Sequence, residues 1–272
     1  MFKKSLNWLF TNEGISYYAK LVIFIIKCRI FFSNFSRKLS GRKKKNFNEL
    51  KIPLNPIIIR TKHGFKAKIN DWFQYSMLNE DYEISSVKLL KLNTNSTFVD
   101  VGANYGFYTL FAASKCTKGK VISIEADKKL FRYLKENVTT NDFKNVECLN
   151  YAVWNTNGEE IKLFEDPITG RNPSCFQSGG KYSIIKTITL DKIVSNFSLS
   201  KINWLKMDIE SAEVKALEGS KNALKIVENL LLEIHSKRNG EECEQLLKNY
   251  GFDIRTISKE NEDLYKILAT KN

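Results

Sequence analysis

The 272-residue chain reads as an α/β protein: a doubly wound, Rossmann-like parallel sheet with a C-terminal antiparallel hairpin, preceded by a basic N-terminal helical arm. Three observations support this. From about residue 95, short apolar runs alternate with amphipathic stretches, the pattern of parallel strands joined by crossover helices. The last two apolar runs, Phe252–Ile257 and Leu264–Ala269, are separated by a turn too short for a parallel crossover, so the final strand must run antiparallel to its neighbour. The charge is also lopsided. Residues 1–60 hold 13 Lys/Arg and 2 Asp/Glu, a net of +11, while the rest holds 30 and 28, a net of +2.

Residues 1–50 form the arm. Its apolar run Leu21–Ile26 and the following Ile30–Phe32 are interrupted by Lys20, Lys27 and Arg29. A membrane-crossing helix needs ~20 predominantly apolar residues, and these charges argue against one. The apolar stretch also starts late for a signal peptide, and no small-residue cleavage site follows. Two readings remain open. The arm packs as an amphipathic helix on the following domain, or it lies in an anionic membrane surface. In the second reading Trp8, Phe10, Phe24, Phe31 and Phe32 sit among the headgroups, and Arg37-Lys38 and Arg42–Lys45 face the lipid charge. The location expected is cytoplasmic, peripheral at the membrane if the arm binds lipid. A nucleic-acid partner is disfavoured, because the near-neutral remainder shows no basic-aromatic motif.

Residues 51–94 are a lead-in. Pro53 and Pro56 mark a linker, Ile57–Arg60 and Phe65–Ile69 flank a His63-Gly64 turn as a hairpin, and Glu83–Leu92 reads as a helix. Residues 95–272 carry the alternation. Thr97–Val101 is a buried strand, followed by a glycine loop and a helix to about Ser114. Val121–Glu125, Val146–Asn150, Asn203–Asp208 and Leu230–His235 are further strands. Lys128–Asn141, a stretch through Leu217, and Glu241–Tyr250 are helices. Residues 151–190 break the rhythm as a β insertion, with strands at Ala152–Trp154, Glu160–Phe164 and Tyr182–Leu190. Between them the turn-rich loop 166–180, with Arg171 and Phe176, reads as a lid.

The five cysteines are odd in number and widely spaced, without a CxxC pair, which argues against a disulfide scaffold or zinc ribbon. Two histidines are too few for a His-built metal site. The loop Asp100-Val-Gly102-Ala-Asn104-Tyr-Gly106 joins a strand to a helix. Gly102 allows close ligand approach and Gly106 tight helix packing. The two glycines are four apart, so the GxGxxG dinucleotide fingerprint is absent. Asp100, just before Gly102, suits the ammonium of an amino-acid moiety, directly or through water. Glu125 ends the second strand, where a carboxylate can accept both hydroxyls of a ribose. Asn150-Tyr151-Ala152 follows the third strand, on the side that faces an adenine in this topology; either its Asn or backbone reads the adenine amine, or the turn is a plain loop. The terminal hairpin is a feature expected of class I methyltransferases and not of standard NAD Rossmann domains.

The segment Phe98-Val-Asp-Val-Gly-Ala-Asn-Tyr-Gly-Phe-Tyr108 resembles the first motif of FkbM-type S-adenosylmethionine-dependent methyltransferases. Asn150-Tyr-Ala-Val153, Thr189-Leu-Asp191, Trp204-Leu-Lys-Met-Asp-Ile-Glu210 and Leu231-Leu-Glu-Ile-His235 fit as well, so the resemblance runs from about Asn95 to Ile257. The family often has Pro after the ribose acid, where Ala126 stands here, and Gly after the DxE, where Ser211 stands. Neither change removes a side chain the chemistry needs.

The resemblance implies S-adenosylmethionine as cofactor. It also implies O-methylation of a hydroxyl on a sugar, glycan or small-molecule acceptor. Asp100, Gly102, Asn104, Gly106, Glu125, Asn150 and Ala152 are the cofactor positions. Asp208, Glu210 and His235 gather at strand ends, where parallel sheets bind ligands, and are the catalytic candidates, with His235 or Asp208 removing the acceptor proton. Magnesium held by Asp208 and Glu210 is a weaker reading, and no metal is expected. Two alternatives are a nicotinamide oxidoreductase, against which the glycine spacing counts, and a non-catalytic or membrane-tethering protein on the same fold, against which the intact cofactor positions count.

Overall fold

The computed structural model describes residues 16–40 (29–40 by backbone only), 56–79, 83–165, 173–176 and 180–271. Trp8, Phe10 and Arg171, and the side chains of Phe31 and Phe32, therefore lie outside the described residues. The chain divides into two compact units, 1–84 with 136–142, and 85–135 with 143–272.

In the smaller unit, helix α1 (Tyr17–Ser40) starts where Ser16 Oγ accepts the Ala19 N–H at 3.1 Å, a side-chain cap. Strands β1 (Ile57–Arg60) and β2 (Lys66–Ile69) pair antiparallel from Ile57↔Ile69 to Arg60↔Lys66. Their period-2 pattern buries Ile57, Ile59, Ala67 and Ile69. The Lys66 and Lys68 N–H groups donate to the side-chain oxygens of Asn141 and Asn137, both at 2.7 Å, so this edge of β2 is not left open. Helix α2 (Trp72–Asn79) was not legible in the sequence. Asp71 Oδ1 caps it by accepting the Gln74 N–H at 2.8 Å, and Trp72 stacks on Tyr75 at 4.5 Å. The helix expected over 83–92 shrinks to the single turn α3 (Ile84–Val87). Ser85, Ser86 and Val87 are weak helix formers, and the Leu89 and Leu90 N–H groups close i→i+3 bonds instead of continuing the helix.

The larger unit continues with β3 (Thr97–Val101), α4 (Phe107–Lys115), β4 (Lys120–Ile124), α5 (Lys128–Thr140), whose residues from 136 on belong to the smaller unit, and β5 (Val146–Leu149). Next come β6 (Ala152–Val153), β7 (Glu160–Phe164), β8 (Tyr182–Ile188), α6 (Leu190–Asn196) and β9 (Ile202–Met207). The chain closes with α7 (Glu213–Glu218), α8 (Ala223–Ile226), β10 (Val227–Ile234), α9 (Lys237–Asn249), β11 (Asp253–Lys259) and β12 (Tyr265–Thr270). Seven strands form one sheet in the order β11-β12-β10-β9-β3-β4-β5. Strands β10, β9, β3, β4 and β5 are parallel, and β12 runs antiparallel to both β10 and β11, as the short last turn requires.

Strand order reverses beside β3, with β4 on one side and β9 on the other. The carboxyl ends of β3 and β9 therefore open a crevice at the switch point. Val99, Val101, Ile122, Leu205, Met207, Leu230 and Leu232 are buried in this sheet's core. That two-faced burial explains why these strands read as continuous apolar runs. The insertion forms its own small sheet, β6-β8-β7.

Two polar residues fix the return from this insertion to the main sheet. Thr189 caps α6 by accepting the Lys192 N–H at 3.0 Å, and Asp191 Oδ1 accepts the Asn222 and Ala223 N–H groups, both at 2.8 Å, at the start of α8. Asp191, singled out above within a motif, thus joins two helix ends. Asp191→Ala is expected to cost about 1–2 kcal/mol, the usual range for a lost cap. A melting temperature lowered by several degrees in differential scanning calorimetry would show it; an unchanged one would deny Asp191 this role.

Candidate active site

After β3 the backbone adopts positive φ at alternate residues: Gly102 (75°), Asn104 (52°) and Gly106 (95°). A Cβ on Gly102 would lie 1.8 Å from the Asp208 carbonyl oxygen, so only glycine lets the end of β3 pass this close to the end of β9. The Gly102 and Ala103 N–H groups both donate to the Ile124 carbonyl, at 2.9 and 3.0 Å, which ties the loop to β4. Glu125 follows β4. Its Oε2 accepts the Asn104 N–H at 2.7 Å and its Oε1 the Asp127 N–H at 2.8 Å. Burial pushes this carboxyl up to about 7, although both N–H bonds and Lys206 pull the other way. The Asn150 amide donates to the Glu125 and Ala126 carbonyls, at 2.8 and 2.9 Å, and so braces the turn that carries Glu125.

Asp100 and Lys206 are cross-strand partners on β3 and β9. Asp100 is fully buried. Thr109 Oγ1–H donates to its Oδ2 at 2.6 Å, and Lys206 Nζ stands 3.6 Å from its Oδ1. Lys206 also donates to the Gly102 carbonyl at 2.7 Å and lies 3.8 Å from Asp208 Oδ2. Burial opposes the Lys206 charge, but Asp100, Asp208 and Glu233 outweigh it and hold its pKa above the usual lysine value. Burial pushes the Asp100 carboxyl up, against the pull of Lys206 and Thr109.

Beyond β9 the chain turns through two left-handed non-glycine residues, Glu210 (φ 51°) and Ser211 (φ 80°). The buried Glu213 stabilises this turn, its Oε1 accepting the Ser211 N–H at 3.1 Å and the Ile209 N–H at 3.4 Å. The same oxygen meets His235 Nδ1 at 3.1 Å. A carboxylate can only accept here, so Nδ1 carries the proton. His235 Nε2 then faces Asp208 Oδ1 and Glu210 Oε2, each at 3.6 Å, too far for direct hydrogen bonds. Burial opposes the charge on His235, but the Glu213 bond and the Asp208, Glu210 and Glu213 charges win and raise its pKa to about 9. Glu210 is pushed up to about 7, by burial first and then by Asp208, Glu213 and Glu233, against His235.

These elements surround a cavity of about 670 Å³, counting the open space at its mouth. Of the positions expected from sequence, Gly102, Asn104, Glu125, Ala152, Asp208 and Glu210 line it. Asp100 and Gly106 support the loop from behind, Asn150 braces the Glu125 turn, and His235 stands behind Asp208 and Glu210. Tyr151, from the expected adenine turn, is also on the wall, whereas Trp154 on the wall, and Lys206 and Glu213 behind it, carry no site role in the sequence reading. An acid at the start of a helix with Val214, Ala216 and Leu217 on its apolar side was the available signal for Glu213. From the expected lid, Pro173 and Cys175 line the cavity, Ser174 Oγ–H donates to the Glu210 carbonyl at 2.9 Å, and Phe176 stacks on Trp154 at 5.8 Å.

Asp208, Glu233 and His235 each offer a ligand atom within 4.8 Å of the others, the one such group among the described residues. Lys266 Nζ lies 2.8 Å from Glu233 Oε2, and that ammonium opposes a second cation.

Residues 100–254, more than half the chain, match the family model described as "Methyltransferase FkbM domain". The hexuronic acid methyltransferase AglP of Haloferax volcanii is 27% identical over 186 residues, covering 68% of this chain and 75% of that protein. The methyltransferase sdnD of Sordaria araneosa is 24% identical over 223 residues, covering 69% and 84%. Among solved structures, methyltransferase FkbM from Methylobacillus flagellatus is similar at 14% identity and a TM-score of 0.45, covering 98% of this chain and 58% of that one.

With two histidines in the chain, NMR titration reads His235 directly once His63 is assigned by substitution. The wild-type ring is expected to titrate near 9, and Glu213→Gln to lower that by ~1 unit or more, since each unit is about 1.4 kcal/mol of lost charge interaction. An unmoved titration would show that Glu213 does not hold the imidazolium.

Proposed function

The chain belongs to the FkbM methyltransferase family, with S-adenosylmethionine as cofactor, and from that premise we propose that it methylates a hydroxyl oxygen on a sugar, glycan or related small-molecule acceptor. The observation that carries the reading is one cavity lined at once by Gly102, by a Glu125 carboxylate held through both oxygens, and by the acids Asp208 and Glu210. The hexuronic acid methyltransferase relative supports a sugar as the acceptor class.

The residues present fit this cofactor. Gly102 lines the cavity and presents bare backbone to it. Glu125, oriented by two backbone N–H groups, keeps lone pairs for the two ribose hydroxyls. Leu130, Tyr151, Ala152 and Val153 supply an apolar wall for the adenine. When bound, the cofactor supplies an electrophilic methyl group on a sulfonium.

The protein then has to align the acceptor oxygen with that methyl and receive the acceptor proton. Asp208 accepts the hydrogen bond of the acceptor hydroxyl. Glu210, whose carboxyl titrates near neutrality, receives the proton. His235 remains charged at neutral pH because its pKa is near 9, so it acts as the cation that orients both acids and not as the base itself. Trp154, on which Phe176 stacks, forms part of the acceptor wall.

Calorimetry with S-adenosylhomocysteine tests the cofactor side. Binding is expected, and Glu125→Gln should weaken it ~tenfold or more, the scale of losing a charge-assisted hydrogen bond. Binding should also fall as pH drops through about 7. The ionised Glu125 is the better acceptor for the ribose hydroxyls, and protonation withdraws it. A Glu125→Gln variant that binds like wild type would refute the ribose assignment. On the acceptor side, transfer of a labelled methyl group to hexuronic acid or hexose glycosides is the assay. Asp208→Asn should lower turnover ~100-fold or more while S-adenosylhomocysteine binding persists. Undiminished turnover would exclude Asp208 from the chemistry.

A further inference from the structure

Helix α1, in the smaller unit, is apolar on two sides. One side buries Ala19, Val22, Ile23 and Ile26, each 1–5% exposed. The other side presents Tyr17, Tyr18, Leu21, Phe24 and Ile25, each 37–94% exposed. The spacing i, i+1, i+4, i+7, i+8 aligns these five in one stripe along the helix. A single exposed leucine is ordinary, but a continuous stripe of large apolar and aromatic side chains marks a docking surface.

Charge identifies the occupant. The exposed Lys20 sits within the stripe's own turns, and the 60 residues around α1 carry 13 Lys/Arg against 2 Asp/Glu. In the sequence Arg37, Lys38 and Arg42–Lys45 follow shortly after. A second copy of this chain would bring the same +11 against it and be repelled. The remaining 212 residues carry a net of +2, so they offer no net negative charge to attract it. No helix among the described residues is long and apolar enough to cross a membrane. An apolar stripe with flanking basic residues in a helix that does not span is the combination suited to an anionic lipid surface.

We propose that the Tyr17–Ile25 stripe of α1 docks on an anionic bilayer surface, with Leu21, Phe24 and Ile25 entering the headgroup zone and the exposed Lys20 pairing with lipid phosphate. The docking is independent of the methyl transfer. It would hold the enzyme where membrane-bound or lipid-linked acceptors are concentrated.

The test is sedimentation of the full-length protein with phosphatidylglycerol–phosphatidylcholine vesicles, beside pure phosphatidylcholine vesicles. Binding is expected to the anionic vesicles, with a partition coefficient ~tenfold or more above that for phosphatidylcholine, falling steeply as sodium chloride is raised. The double variant Leu21→Glu/Ile25→Glu places acids at exposed positions, so it should keep the wild-type melting temperature and lose vesicle binding ~tenfold or more. Absence of wild-type binding would overturn the proposal. So would a double variant that binds as well as wild type, because the basic residues alone would then account for the attraction. A wild-type dimer in light scattering that the double variant abolishes, without vesicle binding, would assign the stripe to a second copy and overturn it too.

Discussion

One buried ammonium ties the carboxyl ends of β3 and β9 together. Lys206 donates to the Gly102 carbonyl and stands between Asp100 and Asp208, so one cation contacts the glycine loop and the acids of two neighbouring strands. Burying a lysine costs several kcal/mol unless its lost water is replaced, and here one carbonyl hydrogen bond and two nearby carboxylates do so. The arrangement needs Asp100 and Lys206 in register across the strand pair, and it needs Gly102 to carry no Cβ. The loop that frames the cavity and the acid that faces it are therefore positioned by one interaction.

Strain accumulates next to this tie. Glu210 and Ser211 both occupy the left-handed region, at about 1–2 kcal/mol each for residues with a Cβ. Glu213 compensates by accepting two N–H groups of the turn, and Asn239 donates to the Ser211 carbonyl at 2.9 Å. At a φ of 80°, the position of Ser211 is one that glycine would occupy without this cost. The same Glu213 oxygen holds the His235 ring, so the turn that aims Glu210 into the cavity and the cation that faces it share one anchor. Three acids, Asp208, Glu210 and Glu213, keep the imidazole charged, while burial first and then the neighbouring acids raise Glu210 to about 7.

The elements of the main sheet were legible because parallel strands buried on both faces are written as short unbroken apolar runs, and because the last turn is too short to cross over. The hidden elements are those whose reason to exist is tertiary. Helix α2 is eight residues with an aromatic face and the polar Gln74 and Asn79 buried, which masks its period. Helices α6 and α8 are short and depend on Thr189 and Asp191 reaching backbone N–H groups, in the case of Asp191 more than thirty residues away. The helix expected at 83–92 has the apolar pattern but not the helix-forming residues to sustain it beyond one turn.

By itself, the sequence determined the sheet class, the antiparallel close, the division between a basic arm and a near-neutral core, and the loop and acid that line the cavity. Each of these is local, written in residues a few positions apart. The roles of Asp100, Asn150 and His235 were decided only by the tertiary structure. It buries Asp100 against Lys206, turns Asn150 to brace the carbonyls beside Glu125, and sets His235 behind Asp208 and Glu210 as a cation. These outcomes depend on neighbours 22 to 106 residues away in the chain, and on the low-dielectric surroundings they create, which no local pattern encodes.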